Sequence, residues 1–241
     1  MQPALYVALS AQVALERRLT TVANNIANIN TGGYRAEEVK FESILSRMGS
    51  GPVAFSSAGE AFISRRPGPV NKTDNALDVA IQGDAWLAMN TPAGTVYTRD
   101  GRMRMSEAGE LQTIDGHAVL DAGGAPIALD PQAGAPSIGR DGMIYQGDNQ
   151  VGALGLFRIS ERSKLARYGN SGVIPDMPAA VVQDFTSVGV QQGYSEGANV
   201  NPVLEMTKMI MISRTFDSAA STISETESSL MSAIRALGPS T

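Results

Sequence analysis

Residues 5–30 read LYVALSAQVALERRLTTVANNIANIN, and the spacing of apolar side chains in that stretch decides the fold. Leu5, Ala8, Gln12, Leu15, Leu19, Val22, Ile26 and Ile29 alternate steps of three and four residues, the seam of a packed or supercoiled helix. Gln12 is its polar break. Near the other end Met206, Met209, Ser213, Phe216, Ala220, Ile223, Glu227, Leu230, Ile234 and Leu237 repeat the spacing, interrupted by Ser213 and Glu227. The two ends are predicted to be helices that pack together.

The first helix is predicted from about Pro3 to Asn30, with Gly32 and Gly33 just past its end, where a left-handed cap needs a residue without Cβ. Asn24, Asn25, Asn28 and Asn30 crowd its last turns. Asparagine is an indifferent helix former because its amide competes for backbone partners. The cluster therefore reads either as fraying toward the cap or as a set of interhelical hydrogen bonds. The second helix is predicted to open with Asn201 as N-cap, Pro202 in the first turn and Glu205 near the positive end of the macrodipole. Gly238-Pro239 ends it.

Between the helices the pattern changes to short strands at Leu77 to Ile81, Ala85 to Met89, Val96 to Arg99, Arg102 to Met105, Leu111 to Ile114, Ala118 to Leu120, Ile127 to Leu129, Ser137 to Ile138, Met143 to Tyr145 and Leu154 to Ile159. Asp100-Gly101, Asp115-Gly116 and Asp141-Gly142 fall between them as turn pairs in which glycine supplies positive φ. These signals predict an antiparallel all-β domain. From Ala36 to about Asn75 periodicity is lost and Gly, Ser and Pro accumulate. That stretch reads as a connector with one or two short strands, although Val39 to Leu45 is equally compatible with helix. The expected class is α+β: paired, coiled-coil-like terminal helices (1–35 with 195–241), a connector (36–75) and a central antiparallel β domain (76–194).

Composition narrows the function. Apolar residues at 43% and charged residues at 18% describe a globular chain, and a net charge of −5 without a basic block argues against nucleic-acid binding. No run of about 18 apolar residues predicts a membrane span. The beginning lacks the basic start, apolar core and small-residue cleavage site of a secretory signal, so export without cleavage is expected. The absence of cysteine removes disulfides, thiolate nucleophiles and zinc-thiolate sites, and a single histidine, His117, removes multi-histidine metal sites. No catalytic, cofactor or metal residue is assigned. A hydrolase built on His117 with Asp115 and Asp121 is the enzymatic alternative, but Asp115-Gly116-His117 reads more simply as a hairpin tip. A carbohydrate platform needs exposed aromatics, and these are 5% of the chain with Trp86 as its one tryptophan. Trp86 is expected in the core.

One buried face per helix does not outweigh the conformational entropy of ordering so long a segment. The terminal helices are therefore expected to order on assembly with further copies, displayed by a self-sufficient β domain.

The stretch Ala23-Asn24-Asn25-Ile26-Ala27-Asn28-Ile29-Asn30-Thr31-Gly32-Gly33-Tyr34 resembles the N-terminal signature of bacterial flagellar rod, hook and hook-associated axial proteins. Gly193-Tyr194-Ser195-Glu196-Gly197-Ala198-Asn199-Val200-Asn201, followed by Glu205-Met206, Met209-Ile210, Arg214 and Phe216, resembles their C-terminal signature, with Gly197-Ala198 replacing the usual Gly-Ser or Thr-Ser. Leu77-Asp78-Val79-Ala80-Ile81, Tyr97-Thr98-Arg99 and Gly109-Glu110-Leu111 agree with the middle. Within the family, the modest length, Trp86-Leu87-Ala88 and Gly116-His117-Ala118-Val119-Leu120 look most like the proximal-rod members, with distal-rod or hook-type subunits as the alternative.

The resemblance implies a structural subunit of the flagellar basal-body rod, exported by the flagellar type III apparatus and polymerised helically in the periplasm into a torque-transmitting shaft. Its partners would be itself, other rod proteins and the export apparatus. The residues expected to pack subunits are Leu15, Leu19, Val22, Asn24, Asn25, Ile26, Asn28, Ile29, Asn199, Asn201, Met206, Met209, Phe216, Ile223, Leu230, Ile234 and Leu237.

Overall fold

The computed structural model describes residues 2–40, 43–48, 51–56 and 59–237, and in it both helical stripes fold as helices, α1 (Gln2–Ala27) and α2 (Pro202–Leu237). Asn201 caps α2 as expected: its Oδ1 accepts from Leu204 N at 3.1 Å and its carbonyl from Glu205 N at 3.0 Å. α1 stops three residues before the expected Asn30. Asn28 O accepts from Thr31 N at 3.1 Å and Thr31 O from Tyr34 N at 3.3 Å, so the chain turns twice instead of continuing. Gly33 is left-handed at φ 64° within those turns, beyond the helix rather than at its cap.

Two compact units divide the α+β chain. The first comprises Met1–Ala27, Glu37–Phe62 and Asn201–Thr241; the second comprises Asn28–Ala36 and Ile63–Val200. In the first unit α1 and α2 pack together. Among the described residues the buried positions are Ala14, Val22 and Asn25 on α1, with Glu205 and Ile212 on α2. The α2 seam thus passes one position from the expected one, through Glu205 and Ile212, while Met206 and Ser213 are exposed. Leu15, Leu19, Ile26, Met209, Phe216, Ala220 and Ile223 are half-buried beside it. The side chains of Leu5, Ala8, Glu227, Leu230, Ile234 and Leu237 lie outside the described residues.

Residues 36–75 carry more strand than the sequence suggests. Glu37–Lys40 pairs with Glu60–Ile63, and Ser43–Met48 pairs antiparallel with Gly51–Ser56 from Ser43↔Ser56 to Met48↔Gly51. Val39 and Lys40, and then Ser43 to Leu45, are strand; Phe41 and Glu42 lie outside the described residues.

The second unit is antiparallel β throughout, as the turn spacing predicts. Its nine-stranded sheet is built around Trp86–Thr91. That strand pairs with Gly94–Thr98 on one edge. On the other it pairs with Ala118–Val119 at Met89–Asn90 and with Leu156–Arg158 at Trp86–Leu87. Alternation along it separates two cores: Leu87 joins Val79, Ile81, Met103, Leu111, Ile144 and Leu156, whereas Trp86 joins Ile63, Ile159 and Val173. Covering on both faces explains why the strand reads as an unbroken apolar run. Trp86, 2% exposed, is core as expected. All the expected strands form except Ile127 to Leu129, held only by isolated bridges such as Glu110↔Ala128. Leu165–Tyr168, Gly172–Pro175 and Ala180–Val181 add further strands to the sheet.

Two of the three turn glycines behave as expected, with φ 88° at Gly116 and 82° at Gly142. Gly101 is needed for a different reason. A Cβ there would lie 1.9 Å from Val79 O, on a backbone held by Val79 N donating to Gly101 O at 2.9 Å.

Candidate functional site

The two signature segments carry three buried polar side chains, Asn25, Glu196 and Glu205, each at the centre of a hydrogen-bond network. In the first unit Asn25 is 2% exposed, on the last full turn of α1. Its Nδ2 donates to Glu37 O at 2.9 Å and its Oδ1 accepts from Glu37 N at 2.9 Å, so one amide replaces a missing strand neighbour. The same Nδ2 reaches Glu205 Oε2 on α2 at 3.4 Å, an interhelical hydrogen bond of the kind the asparagine cluster suggests. Lys208 Nζ donates to the other Glu205 oxygen at 2.6 Å, balancing a carboxylate that the seam buries. The network ties α1, the strand Glu37–Lys40 and α2 together within one chain.

The second unit holds a further group of signature residues. Asn199 Oδ1 accepts from Ala36 N at 2.6 Å, its Nδ2 donates to Arg66 O at 2.8 Å, and its backbone N donates to Tyr34 O at 3.1 Å. Glu196, 1% exposed, bridges two arginines, with Oε1 2.7 Å from Arg35 Nη2 and Oε2 2.7 Å from Arg99 Nη2. Gly68 N also donates to Oε1 at 2.9 Å, and Glu196 O accepts from Gly33 N at 2.8 Å. Arg99 is further held by the carbonyls of Ile81, Gly83 and Ala85, and Arg35 by that of Arg66. Burial lowers the Arg35 pKa to about 10 against the opposing pull of Glu196, so its guanidinium remains charged at neutral pH. It lies 5.8 Å from the Trp86 ring centroid, and Arg167 stacks on Tyr34 at 4.4 Å.

Gly33 leaves no room for a side chain in this cluster. Besides its left-handed φ, a Cβ would come within 2.1 Å of Asp100 N and 2.4 Å of Arg99 C, both backbone atoms. Gly33→Ala is expected to destabilise the second unit by at least about 1–2 kcal/mol, the left-handed penalty alone. A urea midpoint unchanged from wild type would contradict this.

Of the remaining expected packing residues, Asn24 is exposed, Asn28 and Ile29 are half-buried in the turns after α1, and Met206 stands out of α2 at 52% exposure. Asn28 Oδ1 accepts from Thr31 Oγ1 at 3.0 Å. Met206 has company: Val203, Leu204, Ile210 and Met211 are all more than half exposed, an apolar patch over the first three turns of α2.

The hydrolase alternative gains nothing from the geometry. His117 lines a cleft of about 310 Å³ with Asp115, Asp100, Tyr168 and Ser171, its ring edge-on to Tyr168 at 6.3 Å. Ser171 Oγ is paired with Thr98 Oγ1 at 3.2 Å. Among the described residues no carboxylate is hydrogen-bonded to the imidazole to orient it as a base. Nor do they include a cluster of three or more potential metal-binding side chains, or a helix long and apolar enough to cross a membrane.

The motif-bearing segments coincide with three family models. Residues 5–35 match the flagella basal body rod protein model, residues 80–146 the flagellar hook protein FlgE/F/G D1 domain, and residues 191–236 the flagellar basal body rod FlgEFG protein C-terminal model. Whole-chain similarity agrees. A flagellar basal-body rod protein FlgF of Mesorhizobium japonicum is 53% identical over 238 residues, 99% of each chain. The protein of the same name from Rhizobium meliloti is 48% identical over the full length of both, and that of Caulobacter vibrioides 37% identical over 99% of both.

Proposed function

The chain belongs to the flagellar basal-body rod protein family, a family of structural subunits and not of enzymes, and from that premise we propose that it occupies the proximal rod and polymerises there helically. In this reading it travels unprocessed through the flagellar type III apparatus, assembles in the periplasm with its own kind and other rod proteins, and transmits torque. The terminal helices supply the inner packing layer, residues 36–75 link it to the β domain, and the α1 and α2 stripes supercoil against those of neighbours.

One observation carries the polymer reading. An apolar patch of five large side chains on α2 is stable in water only at a cost, and a subunit that buries it against a neighbour removes that cost at every contact. The signature asparagines have a different part. Asn25 and Asn199 use both ends of their amides on their own chain, so they prepare the subunit, and the exposed residues join it to the next.

A chain carrying Met206→Asp with Ile210→Asp is expected to keep the wild-type circular dichroism spectrum and export level yet be missing from purified basal bodies. Both side chains are already more than half exposed, so folding loses little. Normal incorporation and motility would remove the patch from the assembly surface. Absence of the wild-type chain from basal bodies would remove the rod reading altogether.

A further inference from the structure

A groove in the first unit has the dimensions of the α2 patch. Val13, Thr20, Thr21 and Asn24 line one wall, on a face of α1 that spans residues 13–24, about 16 Å at a rise of 1.5 Å per residue. The other wall is Val39 from the strand Glu37–Lys40, with Ala61 and Gly59 from the segment that pairs with it. Its volume is about 380 Å³, and its short side chains leave room for longer ones. Glu16 and Glu37 bring two carboxylates to the groove against the single cation of Arg17.

Val203, Met206 and Ile210 follow one another by three and four residues along α2, and Arg214 continues the same row. From Val203 to Arg214 is again about 16 Å. All four are exposed in the subunit, so they do not fill their own chain's groove. A row of three apolar side chains ending in a cation faces a groove of small side chains with acids beside it.

We propose that the groove between α1 and the paired strands 37–40 and 60–63 receives the Val203–Met206–Ile210 row of α2 from a second copy of this chain, with Arg214 set against the groove's carboxylates. This is the helix-in-groove mode, with apolar anchors at helical spacing and a charge at one end to set direction. Patch and groove are different surfaces, so the contact is heterologous: each subunit gives one α2 and receives another, and the series runs on as a ring or an open helix instead of pairing off as a two-fold dimer. The proposal rests on the polymer reading above and specifies which surfaces make the joint.

The chain has no cysteine, so the introduced thiols are the only ones it carries. Thr20→Cys and Ile210→Cys, both at exposed positions, are made singly and together, and basal bodies containing them are oxidised and run on non-reducing gels. The doubly substituted chain is expected to give a reducible ladder of dimers, trimers and longer species, since each copy carries one donor and one acceptor. Co-expressed single variants should stop at mixed dimers. Incorporation without cross-links overturns the proposal and leaves the rod assignment standing. So does a fast-migrating monomer bridged internally, or thiols that couple only to a different axial protein. If neither variant nor wild type is found in basal bodies, the rod assignment fails and the proposal with it.

Discussion

Glu196→Ala is expected to cost the second unit about 3–5 kcal/mol, the usual penalty for removing one partner of a buried ion pair. Against a domain stability of about 5–15 kcal/mol this leaves the unit close to unfolding. The loss is large because the carboxylate does three jobs at once: it neutralises Arg35, neutralises Arg99 and accepts from Gly68 N. Alanine leaves two guanidiniums, each almost fully buried, facing each other across a cavity with no anion between them. Trp86 is both the chain's one tryptophan and a neighbour of Arg35, so its fluorescence in a urea titration reports on this cluster directly. Replacing all three charged residues by apolar ones of similar volume should recover much of the loss, because the cost lies in the unpaired charges and not in the missing attraction. A Glu196→Ala chain whose urea midpoint matches wild type would show that Arg35 and Arg99 are satisfied by backbone carbonyls alone.

That cluster also marks what the sequence leaves unread. Local signals translate well: Asn201-Pro202 starts α2 where a cap and a rigid first position belong, and alternation between turn glycines marks most strands. These are decided within a few residues of themselves. Arg35, Arg99 and Glu196 are separated by 64 and 97 residues, and no periodicity links three charges whose partners come from three parts of the chain. The α2 seam fails for a related reason. Its polar members invite a phase that buries Met206, yet Glu205 is admitted to the interior because Lys208 and Asn25 meet its two oxygens. Residues 36–75 read as a connector with only one or two short strands because paired strands there present few consecutive apolar residues, and their register is set by partners across the hairpin. The family signature, by contrast, is fully legible. What it does not display is that two of its asparagines, Asn25 and Asn199, bond Glu37, Ala36 and Arg66 on their own chain.

Asn25→Leu is therefore expected to damage the subunit before it reaches any assembly. Leucine raises helix propensity by a few tenths of a kcal/mol. Against that, the N–H and C=O of Glu37 each lose the hydrogen bond to the Asn25 amide, at about 0.5–1.5 kcal/mol for each bond. Glu205 also loses one of its two contacts while remaining in the seam. The net effect is a first unit in which α1, the strand Glu37–Lys40 and α2 are no longer fastened at one point, visible as a lower helix-melting temperature and faster amide exchange from residue 19 to residue 40. Asn24→Leu is the matched control. It makes the same chemical change one residue away, on an exposed position where water can replace a lost hydrogen bond, and should lower melting far less. If both variants melt like wild type and both fail to enter basal bodies, the Asn25 amide acts between subunits and the intrachain network contributes nothing. If Asn25→Leu alone melts early, its absence from the rod is a folding defect, and the assembly surface is to be sought among the exposed residues of α1 and α2.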